Sequence, residues 1–290
     1  MTSTNPTLVG PSAPVSTSRA NEVLRAVSDG TRARRRRTLL TVWGGSALLG
    51  AALLLFWEFG AGLVMNTRYV SSPSEVFDRL VELASGELLW NHIAATMTEA
   101  GTGYLIGVAV GLFGAFVLVS LPMVEEVFSP FLIAFYSIPK IALAPLFIMW
   151  FGFGYLPKIL LAALMVFLIV LVNSVTGIKS ISPGLVEVSR VLGAGGLQLA
   201  RKVILPGAAP AIMASIRITF SRAMVGAILA EFIAATEGLG FLIVRASRQF
   251  DTPTVFAGIV VIAVLVMSVN GLIRLLERRL LPWNVETVHG

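Results

Sequence analysis

Apolar positions in this chain fall in long runs, not in strand-like alternation or narrow helical stripes. Six runs stand out: Leu39–Trp57, Thr98–Leu121, Phe128–Phe151, Lys158–Ile178, Ala208–Ala235 and Thr254–Leu276. Each approaches or exceeds the roughly 20 residues a helix needs to cross a bilayer. In hydrocarbon every backbone amide must find its partner inside the structure, which predicts helices and not loops or an open sheet. The expectation is an all-α integral membrane protein with about six transmembrane helices.

The stretches between the runs predict the rest of the layout. Residues 1–37 are rich in Ser, Thr and Pro and end in Arg32, Arg34, Arg35, Arg36 and Arg37. They predict a disordered basic tail. The basic run followed by an apolar stretch superficially resembles a signal sequence. No small-residue cleavage site follows, so the stretch is expected to stay as a helix. Residues 38–86 hold this first span and an outer segment. Within Ser71–Leu88, Ser72 is placed to cap a helix, with Pro73 in its first turn. Residues 87–283 form the main core, residues 179–207 a long inner loop, and residues 284–290 a C-terminal tail. Thr236–Pro253 is expected to be a Gly-containing outer connection. No long internal repeat is visible.

Composition agrees. Of 290 residues 56% are hydrophobic and 13% charged, against about 25% charged in soluble domains, and the mean hydropathy is +0.85. There is no cysteine and there are two histidines, which excludes disulfides and thiolate sites and argues against a histidine metal cluster. The net charge of +6 does not imply nucleic acid, because the arginine run abuts a span and is explained as a cytoplasmic anchor. With the N-terminus inside, the inner segments collect that run, Lys179, Arg190, Arg201, Lys202, Arg274, Arg278 and Arg279. The outer ones hold Arg68, Arg79, Lys158, Arg245 and Arg248. The excess of Lys and Arg inside fits this orientation.

Three features inside the spans have rival explanations. Gly103, Gly107 and Gly111 share one helix face, where small residues admit a second helix; ordinary packing and a moving contact both fit. Pro139 and Pro145 break the third span around Lys140. That lysine either lines a polar pathway or reaches to the cytoplasmic headgroups. Arg217, Arg222 and Glu231 lie on one span. Arg217 and Glu231 are about 20 Å apart along the axis and cannot pair. Arg222 is either a pathway residue or half of a structural pair, and a structural role is favoured for Arg217.

The inner loop carries the most specific pattern. Leu185, Val188 and Leu192 recur at helical spacing, Gly193, Gly195 and Gly196 break the helix, and Leu199 to Val203 restart it before Pro206. Two short helices with an apolar stripe would suit either a docking partner or the membrane surface. The segment resembles the signature loop of ABC-importer permeases. Glu187-Val188-Ser189 stands for Glu-Ala-Ala, Gly193 follows at the matching distance, and Val203-Ile204-Leu205-Pro206 closes it. Val and Ser replace the two alanines, and Val replaces isoleucine. Ile138-Pro139-Lys140, Ala142, Pro145-Leu146, Trp150, Gly152, Leu205-Pro206-Gly207, Pro210, Ala230-Glu231 and Gly238-Leu239-Gly240 narrow the resemblance to the nitrate, sulfonate, taurine and bicarbonate permeases. It covers roughly Glu87 to Trp283.

The resemblance implies a type I, MetI-like core in a prokaryotic plasma (inner) membrane. A second permease copy, expected as a homodimer, would share the pathway, a solute-binding protein would deliver the solute, and a separate ABC ATP-binding subunit would grip the inner loop. Glu187, Arg190, Gly193, Leu205 and Pro206 would form the coupling element. Pro139, Lys140, Pro145, Arg222 and Glu231 would be candidates for the pathway. No Gly-Lys dipeptide is present, so a P-loop of the usual form is absent and ATP-Mg is expected on the partner. No catalytic motif is visible and none is expected. The implied solute is a small anion, with a pyrimidine-type vitamin precursor or aromatic acid as the alternative. An ion-coupled secondary transporter is the rival class, but it would not need the loop pattern.

Overall fold

The computed structural model describes residues 41–60 apart from 43, and residues 70–280. The basic tail over 1–37, Arg68 and the tail over 284–290 lie outside the described residues. The chain divides into two compact units, Met1–Leu63 and Val64–Gly290. In the first, the apolar helix α1 spans Gly44–Gly60, within the expected first span.

The second unit is helical throughout its described residues. A surface-length helix, α2 (Pro73–Ser85), opens it with the expected cap. Ser72 Oγ accepts from the Glu75 amide, and the Glu75 carboxylate accepts from the Ser72 amide. This reciprocal box satisfies two donors that a helix start leaves bare. Arg79 of α2 donates to Thr254 Oγ1 at 2.7 Å and pairs with Asp251 at 3.4 Å. Its hydrogen bond to Glu82, with the nearby charge of Asp251, raises an already high pKa further.

The long helices follow: α3 (Glu87–Ser120), α6 (Tyr155–Lys179), α9 (Leu205–Ala234) and α11 (Thr252–Leu280). Four helices of the described residues are long and apolar enough to span a membrane, and a bent pair supplies a fifth. That pair is α4 (Pro122–Ser137) and, after a tight turn over Lys140–Leu143, α5 (Ala144–Phe151), with 87° between its halves. Together with α1 this fits the expected count. Residues 122–127, which lie between the second and third apolar runs, form the first turns of α4. Pro145 does not interrupt a helix: it sits in the first turn of α5, where proline's missing amide costs nothing.

Two other expectations are corrected. Thr236–Pro253 is no bare connection, because α10 (Leu239–Arg248) lies within it. The inner loop does contain a first short helix, α7 (Pro183–Val191), but its second helix is not separate. Helix α8 (Gly196–Leu199) runs through a widened turn at Ala200–Ile204 straight into α9. Pro206 therefore lies in the first turn of α9.

The core is where α3, α6 and α9 meet, around Ala100, Ala162, Val166, Phe220, Ala223 and Ala227. Small residues set the spacing. A Cβ on Gly107 would lie 2.6 Å from the Ala163 carbonyl oxygen, and one on Gly103 would lie 2.6 Å from Ala162 Cβ. Gly111 faces the Phe167 carbonyl oxygen in the same way. Lipid gives no hydrophobic drive between helices, so such close approach, which multiplies dispersion contacts, holds the bundle.

Candidate functional site

Charged and polar side chains inside the bundle fall into two groups. The group beside α10 is buried. Lys158 forms an ion pair with Glu99, and both side chains are almost fully enclosed. Glu231 accepts from Thr96 Oγ1 at 2.6 Å and from the Gly240 amide at 2.5 Å. The amides of Leu239 and Gly238 donate to Thr96 Oγ1 and His92 Nδ1. The turn leading to α10 presses on Glu231 so closely that Gly238, at φ +114°, and Gly240 have no room for a Cβ. Glu231 thus anchors α10 to the bundle. Beside the cluster, Tyr155 donates to Glu237 at 2.5 Å, and a cavity of about 240 Å³ is lined by Tyr155, Lys158 and Glu237.

Arg222 is placed differently. It is exposed on α9 and lines a cavity of about 390 Å³ with Tyr136, Asn173, Ser221 and the apolar Ile169, Val172 and Val225. No carboxylate pairs with it among the described residues. Arg217, four residues before Ser221 on the same helix, pairs with Glu277 of α11 at 2.9 Å. Lys140 is half-buried at the break between α4 and α5. It donates to the Tyr136 carbonyl at 3.0 Å and lies 4.7 Å from the centre of the Tyr136 ring. Pro139 precedes the tight turn and both Pro139 and Pro145 are exposed.

The inner loop is open on its apolar side. Leu185, Val188, Val191 and Leu192 are all exposed, Val191 and Leu192 by more than four-fifths. Glu187 and Arg190 are exposed beside them, as is Leu205. Gly193 has φ +85°, a conformation that favours glycine. Its amide donates to Arg190 and that of Ala194 to Ser189, the Schellman closure of a helix C-terminus.

Sequence patterns singled out Arg222, Lys140 and Glu231 but missed the partners. Glu99 was visible as a lone acid, and Lys158 was counted as an outer-segment charge. Helices α3 and α6 start earlier in sequence than the apolar runs, at Glu87 and Tyr155, and both residues lie inside the bundle. Tyr136 and Asn173 gave no signal above ordinary span composition.

These features define a polytopic α-helical membrane protein with a half-open cavity of mixed lining at Arg222 and a loop that exposes an apolar helix face. Residues 92–282 match the family described as binding-protein-dependent transport system inner membrane component, and the chain belongs to that family. It is 37% identical to the riboflavin transport system permease of Chloroflexus aurantiacus, over 80% of this chain and 87% of the relative. It is 35% identical to a putative aliphatic sulfonates transport permease of Bacillus subtilis, over 83% and 88%. It is 32% identical to the taurine transport system permease of Escherichia coli, over 82% and 88%. The fold is similar to a solved structure of the MetNI methionine ABC transporter in an inward-facing conformation, with a TM-score of 0.53 at 23% identity over 69% of this chain and 94% of that one. It is also similar to that of an amino acid ABC transporter with histidines, with a TM-score of 0.57 at 21% identity over 70% and 96%. The chain is thus a multi-pass permease component of an ABC importer.

Proposed function

We propose that this permease carries a small anionic solute, of the sulfonate, taurine or nitrate kind, through the cavity at Arg222. The observation that carries this reading is the unpaired guanidinium there. A charge within an apolar span is costly unless something compensates it, and a passing anion would do so. The apolar walls and the Tyr136 ring leave room for the second reading, a pyrimidine-type vitamin precursor or aromatic acid. Two relatives named for riboflavin and for formylaminopyrimidine support it.

ATP-Mg is bound by a separate ATP-binding subunit, and this chain holds no cofactor. That subunit takes the exposed face of α7, with Glu187 and Arg190 at its rim and Gly193 turning the chain back toward Leu205, Pro206 and α9. Nucleotide-driven closure of the motor then moves α6 and α9 as rigid bodies. A second copy of the chain completes the pathway, a solute-binding protein delivers from outside, and the N-terminus is cytoplasmic.

Purification of the tagged chain in mild detergent, followed by mass spectrometry, tests the assembly. Recovery of an ATP-binding subunit and a binding protein is expected, and ligand screening of that binding protein names the solute. A complex active without any ATP-binding subunit would overturn the proposal. Gly193→Asp is expected to weaken recovery of the ATP-binding subunit or to uncouple hydrolysis from uptake, because the left-handed conformation costs a side chain about 1–2 kcal/mol. Normal coupled uptake by that variant would remove Gly193 from the coupling element.

A further inference from the structure

Arg222 does not stand alone in its cavity. Ser221 precedes it on α9, and Asn173 joins the lining from α6. Both are part-buried, and each is held by a polar neighbour that is not in the lining. Asn270 Nδ2 of α11 donates to Ser221 Oγ at 3.2 Å, and Asn173 Nδ2 donates to the buried Ser215 Oγ at 3.4 Å. The first bond sets a direction: Ser221 Oγ accepts from Asn270, so its own proton is left to donate elsewhere. Asn173 keeps a second amide hydrogen. A guanidinium, a hydroxyl and an amide thus offer donors from two helices.

The same lining is not set to receive a cation. None of its eight residues is acidic. Two carboxylates elsewhere in the bundle are taken, Glu125 by Lys179 and Glu277 by Arg217. An aromatic ring can also hold an ammonium over its face, but the Tyr136 ring already has the Lys140 ammonium 4.7 Å from its centre. The remaining four lining residues are Ile or Val. A volume of about 390 Å³ lies within the range of small-molecule sites, roughly 300–1,000 Å³. A bare inorganic oxyanion would meet the donors and leave the aliphatic walls wet.

We infer that the Arg222 cavity selects oxyanions carried on an uncharged apolar body, with Ser221 and Asn173 as donors beside the guanidinium, and that it discriminates against zwitterions. Asn270 is the positioning residue that aims the Ser221 hydroxyl. This rests on the pathway reading above and narrows it. Between an alkanesulfonate and taurine, which share the sulfonate, the cavity takes the alkanesulfonate. The ammonium of taurine would meet two cations, Arg222 and Lys140, and no acid, and an uncompensated charge within a span is costly. The cavity is half open, so that ammonium keeps part of its water, and the outcome is a preference and not an absolute bar.

The chain contains no cysteine, so an introduced one is its sole thiol. Val225→Cys puts a reporter in the cavity lining, and Asp78→Cys, exposed on α2, is the control. The importer, purified in detergent with its ATP-binding subunit but without nucleotide or binding protein, is treated with a small maleimide, and labelling of this chain is followed on gels. Leaving out the binding protein removes that protein's own selection. Propanesulfonate and taurine match in heavy atoms and differ by a methyl against an ammonium. Propanesulfonate is expected to slow labelling of Val225→Cys and not of Asp78→Cys. Taurine is expected to need about tenfold more, as like charges brought together do. Nitrate is expected to protect more weakly than propanesulfonate, and propylammonium not at all. Ser221→Ala is expected to raise the protecting concentration of propanesulfonate about tenfold, the loss of a hydrogen bond to a charged group, and Ser221→Thr to restore it. Asn270→Ala is expected to raise it severalfold alone but to add nothing to Ser221→Ala, a dependence that general loosening of the fold would not give. Protection by taurine or nitrate equal to that by propanesulfonate would overturn the selectivity and leave the anion pathway standing. An unchanged protecting concentration in Ser221→Ala would remove Ser221 and Asn270 from the site. If no anion protects Val225→Cys while both cysteines label, the cavity holds no anion, and the pathway reading falls together with the inference.

Discussion

The end of the bundle beside α10 and its middle both hold charge among apolar helices, but they treat it in opposite ways. Beside α10, Lys158 is enclosed against Glu99, and Glu231 is closed off by Thr96 and the Gly240 amide. In the middle, Arg222 opens on a cavity with no acid opposite it among the described residues. A charge whose partners lie inside the protein is part of the architecture. One left to face a cavity is available to something that arrives. The presence of an ionisable group in a span therefore says little by itself, and its surroundings decide.

The comparison is broken most forcefully at Lys158. Lys158→Met leaves Glu99 buried without its counter-charge, and removal of one partner of a buried pair costs about 3–5 kcal/mol. The detergent-solubilised complex should lose thermal stability markedly. Lys158→Met combined with Glu99→Met should recover much of the loss, since an apolar replacement of the whole pair is often tolerated. If Lys158→Met stays as stable as the parent but stops transport, the cluster beside α10 is a working site and the contrast fails.

A smaller loss is expected where the helices touch. Gly107→Val would drive a side chain into the Ala163 carbonyl and Val166. Backbone atoms cannot yield as a flexible side chain can, so a cost of about 1–3 kcal/mol is expected from overpacking. Gly101 on the same helix has nothing within 4 Å of its would-be Cβ. Gly101→Ala should be neutral or slightly stabilising, by up to about 1 kcal/mol, because it lowers backbone entropy in the unfolded chain. Equal effects at the two glycines, read as unfolding midpoints, would mean that the α3–α6 contact is not what fixes the bundle.

The helices were legible because lipid tolerates so few alternatives. Runs of apolar residues mark spans, and the Ser72 cap and the Gly193 break were readable from local chemistry alone. The bounds were less so. Helix α3 begins at Glu87 because its first turns are covered by the neighbouring α2 and by α10, and the second cover comes from residues distant in sequence. The same holds for the pairs. Glu99 with Lys158, and Glu231 with Gly240, are set by tertiary packing, which a single sequence does not display. Lys140 was visible as an unusual residue, but its attachment to Tyr136 depends on the 87° bend between α4 and α5, which no local pattern specifies.

The smallest effect on stability, and the sharpest test of the contrast, is expected at Arg222. The side chain has no internal ion pair to lose, so Arg222→Gln should change the unfolding free energy by no more than about 0.5 kcal/mol, as at an ordinary exposed site. Its effect on transport should be much larger. A hydrogen bond to a charged group is worth about 1.5–3 kcal/mol, which corresponds to roughly a ten- to hundredfold loss in uptake rate if the solute is an anion held there during passage. Arg222→Lys should keep part of the rate, because the charge remains while the two-pronged geometry is lost. Uptake by whole cells, set beside thermal unfolding of the same purified variants, separates the two quantities. A loss of stability at Arg222→Gln as large as at Lys158→Met would make the middle of the bundle no different from its end beside α10. Full uptake at parental stability would mean that the arginine faces an empty space and that the charge which guides the solute lies elsewhere.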